Sequence, residues 1–200
     1  LARTIYFDGV GHEQGIDPYY SMTDKVKLDG SGMQLLTPED ATHSISISKS
    51  NNYFVDTYSR ADLAPKSVLR DTKGKLLMEL EETDLRRLYE TGWQMPERFT
   101  VKAVDGVTNL YGIMWKPLKM EEGRKYPIIN YVYPGPQVES FSMPWSSTGR
   151  GSMSLAQLGF VTVAMGHRGG SPLRSKYYHT YGYDNLRDYA LPDDKYGLEQ

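Results

Sequence analysis

The 200-residue sequence contains no cysteine. This absence excludes disulfides, thiol nucleophiles and cysteine-ligated metals, although it does not fix a cellular compartment. The formal net charge is only −2, which argues against a nucleic-acid binder that relies on a broad basic face. No apolar run approaches the length of a membrane-spanning helix. Hydrophobic residues make up 39% of the chain and aromatic residues 12%, so the sequence predicts a folded protein with a packed core.

The two ends of the sequence predict a piece of a longer protein. Leu1 is followed by neither a basic segment nor an apolar one, so the chain shows no signal peptide. At the other end, the run from Asp193 to Gln200 is charged and helix-like, and we expect it to continue in the parent protein. On length alone, the chain is large enough for one large domain or two small ones.

The residues up to about Glu82 predict antiparallel β-structure. His43 to Ser48 alternates with a period of two, which is typical of a half-buried strand. Tight turns separate the other extended runs, the first of which is expected to end at an Asp8-Gly9 turn. These runs are Ile5–Phe7, Tyr19–Leu28, Met33–Leu36, Tyr53–Tyr58, Ser67–Arg70 and Leu76–Leu80. Such a succession favours a meander, a sandwich or a propeller blade.

The pattern changes after a charged segment, Glu81 to Arg98, that we interpret as a helix or linker. A β-hairpin around Asp105-Gly106 is predicted next, and it is followed by two apolar strands with a helix between them. Continuous apolar strands joined through a helix indicate parallel pairing. The predicted elements are the hairpin strands Phe99–Val104 and Leu110–Trp115, the strand Ile128–Tyr133, the helix Ser152–Leu158 and the strand Phe160–Met165. The fold class is therefore mixed, with an antiparallel β part before the start of an α/β part.

Direct motifs for catalysis or metal binding are missing from the sequence. It has no G-x-S-x-G nucleophile elbow, no P-loop and no His-Glu-x-x-His motif. Its four histidines are not at metal-ligand spacing, and we interpret them as solvated or structurally hydrogen-bonded. They are His12, His43, His167 and His179. Asp193 and Asp194 are adjacent in a helix-like run, so we interpret them as solvated helix charges rather than a paired acid and base.

Tyr133 is a candidate because it stands at the C-terminal end of a predicted buried strand, where parallel sheets place ligands. Its phenol could donate a hydrogen bond to a developing oxyanion, or it could pack as a core aromatic residue. The residue pattern alone favours packing. The loop Gly166 to Pro172 follows the next strand and either lines the same crevice or forms a glycine-rich turn. Within it, we interpret Arg168 as a structural hydrogen-bond donor rather than a substrate clamp.

The run from Lys125 to Pro136 resembles the prolyl oligopeptidase-type serine peptidases, and it is closest to their dipeptidyl peptidase IV branch. In that family, a K-Y-P block, an apolar strand and Y-x-G-P form the third strand of an α/β-hydrolase domain. The hairpin that ends at Trp115-Lys116-Pro117 resembles the family's opening hairpin, and Arg168 to Ser171 resembles its R-G-S loop with one extra glycine. His43 to Arg60 resembles the last blade of its β-propeller.

This resemblance implies a domain organisation and a site. Residues 1–85 would be the C-terminal part of a β-propeller domain, 86–97 a linker, and 98–200 the N-terminal part of an α/β-hydrolase domain. Tyr133 would donate its hydroxyl to the oxyanion of the tetrahedral intermediate, which reverses the interpretation from the residue pattern. The family's Ser, Asp and His triad would lie beyond Gln200, and its acidic pair for the substrate's amino terminus before Leu1. The substrate-binding residues stay unknown, and neither a metal nor a cofactor is implied.

The parent protein is therefore expected to be a serine peptidase that removes N-terminal X-Pro or X-Ala dipeptides through an acyl-enzyme, with the 200-residue chain itself inactive. The alternative is a catalytically dead relative that serves as a propeller-based protein-binding module. We expect a peptide substrate, no nucleic-acid partner, no membrane segment in this chain and a parent exported to the periplasm or cell surface. Unpaired strand edges predict self-association or strand exchange.

Overall fold

The computed structural model describes residues 3–133, 135, 138–139 and 144–200. The chain forms two compact units, of which the first runs to Leu85 and also includes Trp145, and the second begins at Arg86. Which domains of a parent protein these units represent stays a prediction. Every helix within the described residues is too short or too polar to cross a lipid bilayer.

The first unit consists of two antiparallel sheets. Its smaller sheet has the order β1-β2-β3, and its larger sheet has the order β4-β5-β6-β7. The strands are β1 (Thr4–Val10), β2 (Ser21–Lys27), β3 (Gln34–Leu35), β4 (Thr42–Ile47), β5 (Tyr53–Arg60), β6 (Leu63–Asp71) and β7 (Leu76–Glu82). Within each of these two sheets, consecutive strands pair antiparallel, so the predicted antiparallel succession is confirmed, and the larger sheet is consistent with a propeller blade.

The predicted turn at Asp8-Gly9 is wrong, because β1 continues through both residues. Asp8 pairs with Thr23 across the β1–β2 ladder, and Gly9 pairs with Met22. The Asp8 carboxylate also accepts a hydrogen bond from the Thr23 hydroxyl at 3.0 Å. A cross-strand side-chain bond thus stabilises an extended Asp-Gly pair whose sequence is more typical of a hairpin turn.

The second unit contains one four-stranded sheet with the order β10-β11-β9-β8. Its strands are β8 (Glu97–Lys102), β9 (Asn109–Trp115), β10 (Ile128–Asn130) and β11 (Val161–Met165). The hairpin β8–β9 is antiparallel, β11 is antiparallel to β9, and β11 is parallel to β10. The parallel pairing expected from the two apolar strands is therefore observed. The helices of this unit are α1 (Arg86–Glu90), α2 (Ser152–Gln157), α3 (Lys176–Thr180) and α4 (Leu191–Leu198).

A buried apolar cluster connects this sheet to α3. It contains Ala103, Leu110, Val163, Met165 and Tyr178, with Leu198 of α4 packed at its edge. Strand β10 is shorter than the predicted Ile128–Tyr133, although the Tyr131 N–H still donates to the Val163 carbonyl at 2.7 Å. β10 is at one edge of this sheet, and it ends at Asn130.

Candidate active site

Tyr133 lies three residues beyond the end of β10, and the residue is 53% exposed. This exposure argues against the core-packing interpretation that the residue pattern favoured. The Tyr133 carbonyl accepts a hydrogen bond from the Gly135 N–H at 2.8 Å, and a Cβ at Gly135 would lie only 2.9 Å from Cε1 of the Tyr133 ring. Glycine at 135 therefore leaves room for the ring. Two other residues of the Y-x-G-P block, Pro134 and Pro136, lie outside the described residues.

The loop Gly166–Ser171 follows β11, which is the strand beside β10. All of its residues are buried, so this loop is part of the core rather than an exposed turn. Gly169 has a φ of +94°, a left-handed conformation that favours glycine, and its N–H donates to the Tyr178 carbonyl at 2.7 Å. This hydrogen bond connects the backbone of the loop at Gly169 to α3.

Arg168 joins this loop to α4 through a buried ion pair. Its Nε and Nη2 donate to Oδ2 and Oδ1 of Asp193 at 2.9 Å and 2.8 Å, and its backbone N–H also donates to Asp193 Oδ2. Nη1 donates to Asp105 Oδ2 in the β8–β9 turn at 2.9 Å. The guanidinium stacks 4.1 Å from the ring centroid of Tyr181. These contacts are consistent with the interpretation of Arg168 as a structural hydrogen-bond donor.

The interpretation of Asp193 and Asp194 as solvated helix charges is wrong. Asp193 is fully buried against Arg168 and also accepts a hydrogen bond from the Val104 N–H at 3.1 Å. Asp194 is buried beside His167, with 3.8 Å between Asp194 Oδ1 and His167 Nδ1. The two carboxylates do point to different surroundings, as their adjacency in a helix requires, but both surroundings are inside the protein.

Burial changes the protonation of this cluster. Removal from water is the largest cause of a raised pKa at Asp194, the nearby charge of Asp193 adds to it, and a hydrogen bond from Asn130 opposes both, so that the pKa is about 7. Burial also lowers the pKa of His167, although Asp193 opposes that change. At Asp105, burial opposes ionisation, but hydrogen bonds from the Thr108 and Val107 backbone and the charge of Arg168 lower the pKa to about 2.

The other histidines have structural partners. His43 is buried in the first unit, and its Nδ1 is 2.9 Å from Asp56 Oδ1 while its Nε2 is 3.0 Å from the Glu39 carbonyl. His12 Nε2 lies 2.9 Å from Asp24 Oδ2, and His179 Nδ1 lies 3.1 Å from the Gly170 carbonyl. These contacts favour structurally hydrogen-bonded imidazoles at all three positions.

Glu39, His43 and Asp56 present ligand atoms within 4.8 Å of one another. A cation already lies among them, because Arg70 donates through Nε to Asp56 at 2.9 Å and through Nη2 to Glu39 at 2.5 Å. The guanidinium balances both carboxylates, so the cluster is explained as an ion network within the first unit.

The comparisons with known proteins agree on one class. Residues 2–65 match the family model of the dipeptidyl peptidase IV N-terminal region. Dipeptidyl peptidase 8 from Mus musculus is 25% identical to this chain over 211 residues, and dipeptidyl peptidase 8 from Homo sapiens is 25% identical over 208 residues. These alignments cover 98% and 100% of this chain but only 22% of each relative.

A solved structure matches the same extent of the chain. It is that of a Bacteroides ovatus protein provisionally described as a dipeptidyl aminopeptidase IV. The match has a TM-score of 0.77 and 26% sequence identity, and it covers 99% of this chain and 27% of the other. The chain therefore spans about a quarter or less of the length of these relatives.

These relatives define the class of protein that the chain resembles, the dipeptidyl peptidases. Within that class, the family model and the solved structure support the dipeptidyl peptidase IV branch, which confirms the resemblance predicted from the Lys125–Pro136 run and the blade residues.

Proposed function

We propose that the chain is a portion of a serine-type dipeptidyl peptidase that cleaves after N-terminal X-Pro or X-Ala through an acyl-enzyme. In this proposal, the first unit is the end of a β-propeller and the second is the beginning of an α/β-hydrolase domain. The sheet order β10-β11-β9-β8 and its single parallel pair support the second assignment. The relatives named as dipeptidyl peptidases support the activity.

The observation that carries the proposed site is the exposure of Tyr133 at the C-terminal end of β10. In the reaction, a serine oxygen of the parent attacks the scissile carbonyl carbon while the catalytic histidine takes the serine proton, and the carbonyl oxygen acquires a negative charge. The Tyr133 O–H donates a hydrogen bond to that oxygen and stabilises the tetrahedral intermediate. The C–N bond then breaks, the amine leaves with a proton from the catalytic histidine, and water hydrolyses the acyl-enzyme.

Tyr133→Phe in the full-length parent tests this assignment. Loss of one oxyanion donor is expected to reduce kcat by about 10²- to 10³-fold while KM changes little, because the bond strengthens in the transition state. The assay is steady-state hydrolysis of a Gly-Pro chromogenic amide. Tyr131→Phe is the matched control, since Tyr131 is a half-exposed tyrosine two residues earlier in the same segment. An unchanged kcat for Tyr133→Phe would remove the assignment.

The sequence of the parent distinguishes a peptidase from the alternative, a catalytically dead relative that serves as a protein-binding module. A G-x-S-x-G motif is missing from these 200 residues, so we expect no turnover from the chain alone. An intact motif in the parent beyond Gln200 supports the peptidase, and a parent without one supports a protein-binding module.

A further inference from the structure

The backbone that carries Tyr133 is hydrogen-bonded on both sides of this residue. Before it, the Tyr131 N–H donates to the Val163 carbonyl of β11 at 2.7 Å. After it, the Gly135 N–H donates to the Tyr133 carbonyl at 2.8 Å, and the Val138 N–H donates to the Gly135 carbonyl at 3.4 Å. These bonds connect Tyr133 through Gly135 to Val138, which immediately precedes Glu139. Glu139 therefore directly follows the hydrogen-bonded segment that carries Tyr133.

Glu139 is held by two different elements of the second unit. Its side chain is buried, with only 7% of the residue exposed. Glu139 Oε1 accepts a hydrogen bond from the Ser171 N–H at 3.0 Å and another from the Tyr178 hydroxyl at 3.2 Å. Ser171 ends the loop after β11, and Tyr178 lies in α3 and is itself buried. A single carboxylate thus fixes the Tyr133 segment to both the loop and the helix.

The loop after β11 is shaped to admit this carboxylate. A Cβ at Gly166 would lie 2.7 Å from Glu139 Oε2, and a Cβ at Gly170 would lie 2.9 Å from both carboxylate oxygens. Real Cβ atoms do not approach other atoms so closely, so a side chain at either position would displace Glu139. Gly170 is the extra glycine by which this loop departs from the R-G-S pattern. The structure explains the departure as the space that Glu139 occupies.

We infer that Glu139 is a positioning residue for Tyr133. By accepting hydrogen bonds from Ser171 and Tyr178, its carboxylate fixes the C-terminal side of the segment and so the direction of the Tyr133 phenol. A donor displaced by about 1 Å from a developing charge loses much of its effect on the rate. This inference rests on the proposed role of Tyr133 and adds a residue to that same site.

The kinetic test compares four variants of the full-length parent with the Gly-Pro chromogenic amide. Glu139→Ala is expected to lower kcat by about 10- to 100-fold with KM within about threefold of the parent value. Glu139→Gln keeps an oxygen that accepts both hydrogen bonds, so it is expected to retain most of kcat. If Glu139 acts through Tyr133, the double variant Tyr133→Phe/Glu139→Ala is no slower than Tyr133→Phe alone, within about threefold.

Three kinetic outcomes overturn the inference while the proposed function stands. The first is a double variant whose kcat is lowered by the product of the two single fold-changes. The second is a Glu139→Ala kcat equal to that of the parent while Tyr133→Phe is severely impaired. The third is a Glu139→Gln variant as slow as Glu139→Ala, because hydrogen-bond acceptance would then be insufficient. Tyr178→Phe removes only one donor and provides a milder variant if Glu139→Ala does not fold.

Amide hydrogen exchange of the 200-residue chain separates this inference from the proposed function. Glu139→Ala is expected to speed exchange in peptides that cover residues 131–139 and 166–171, and to leave β5 in the first unit unchanged. Glu139→Gln is expected to exchange like the parent chain. If Tyr133→Phe leaves kcat intact, the proposed function fails, and this exchange measurement still decides whether Glu139 holds the segment. Unchanged exchange in Glu139→Ala would overturn the positioning role.

Discussion

Arg168→Met is expected to lower the free energy of unfolding of the second unit by about 3–5 kcal/mol. Arg168 is 3% exposed, and it binds the fully buried Asp193 through two side-chain hydrogen bonds of 2.8 Å and 2.9 Å. Methionine fills a similar volume but leaves the Asp193 carboxylate buried without its cation. Removal of one partner of a buried pair is strongly destabilising, because the remaining charge has lost both its partner and its water.

Urea unfolding of the chain, followed by far-ultraviolet circular dichroism, measures this change, and hydrogen exchange in β9, β11 and α4 assigns it to the second unit. Arg187→Met is the matched control, since the Arg187 side chain is largely exposed and lies 4.0 Å from Asp188. Its effect should stay within about 0.5 kcal/mol. Arg168→Lys should fall between the two, because an ammonium group cannot reproduce the paired contact of a guanidinium. If Arg168→Met were as stable as the control, the ion pair would have no structural role.

The strands of this chain could be predicted from local patterns because their pairing is also local. The larger sheet of the first unit joins consecutive strands, so the alternation from His43 to Ser48 and the turns between runs contained the required information. The β8–β9 hairpin was predictable for the same reason. The extended Asp8-Gly9 pair was not, since its stabilising bond is donated by Thr23, fifteen positions away in the sequence.

The burial of the charged residues depends on contacts between residues that are far apart in the sequence. A local periodic pattern carries no information about such contacts. Arg168 and Asp193 are separated by 25 positions, and Glu139 and Ser171 by 32. A run such as Leu-Pro-Asp-Asp-Lys is typical of an exposed first helical turn, and only the loop after β11 brings a guanidinium against it. Glu139 gave no signal by itself. The sequence feature related to Glu139 was the extra glycine at 170. The reason for that glycine becomes clear only in the structure, where the Glu139 carboxylate lies beside Gly170.

Tyr133 needed both kinds of information. Its place at the end of an apolar strand was readable from the residues, but the pattern alone favoured a packed ring. The resemblance to a peptidase family reversed that interpretation, and the exposed side chain agrees with the reversal. The role of Tyr133 in catalysis stays a prediction, for which the Tyr133→Phe measurement is decisive.

Asp194 is expected to make the second unit less stable as the pH rises from about 4 to about 7. Burial raises the pKa of this carboxyl from 3.8 to about 7, so within that window the folded state holds a proton that the unfolded state has lost. Stability is therefore greatest below the unfolded-state pKa and declines as the pH rises through the folded-state value. Each pKa unit corresponds to about 1.4 kcal/mol, which gives a total loss on the order of 4 kcal/mol.

Asp194→Asn isolates this contribution from the other titrating groups around it. Those groups are His167, Asp193, Glu139 and Tyr189. His167 has the opposite sign, because its lowered pKa makes stability fall as the pH falls below about 6.5. Asparagine removes the charge at 194 and still accepts a hydrogen bond from Asn130. The difference in unfolding free energy between Asp194→Asn and the parent chain should therefore grow with pH and level off above about pH 7.

Urea unfolding midpoints of both proteins, taken at intervals between pH 4 and pH 8, measure that difference. The midpoints can be compared when the unfolding free energy of both proteins has the same slope against urea concentration. Asp188→Asn provides the control, because the Asp188 side chain is exposed and its removal should give a difference that does not vary with pH. A flat difference for Asp194→Asn would mean that this carboxyl ionises normally inside the protein, with water or a cation reaching it. A rising difference would identify Asp194 as a group that the fold keeps protonated in the acidic half of the range, beside an imidazole that burial keeps neutral.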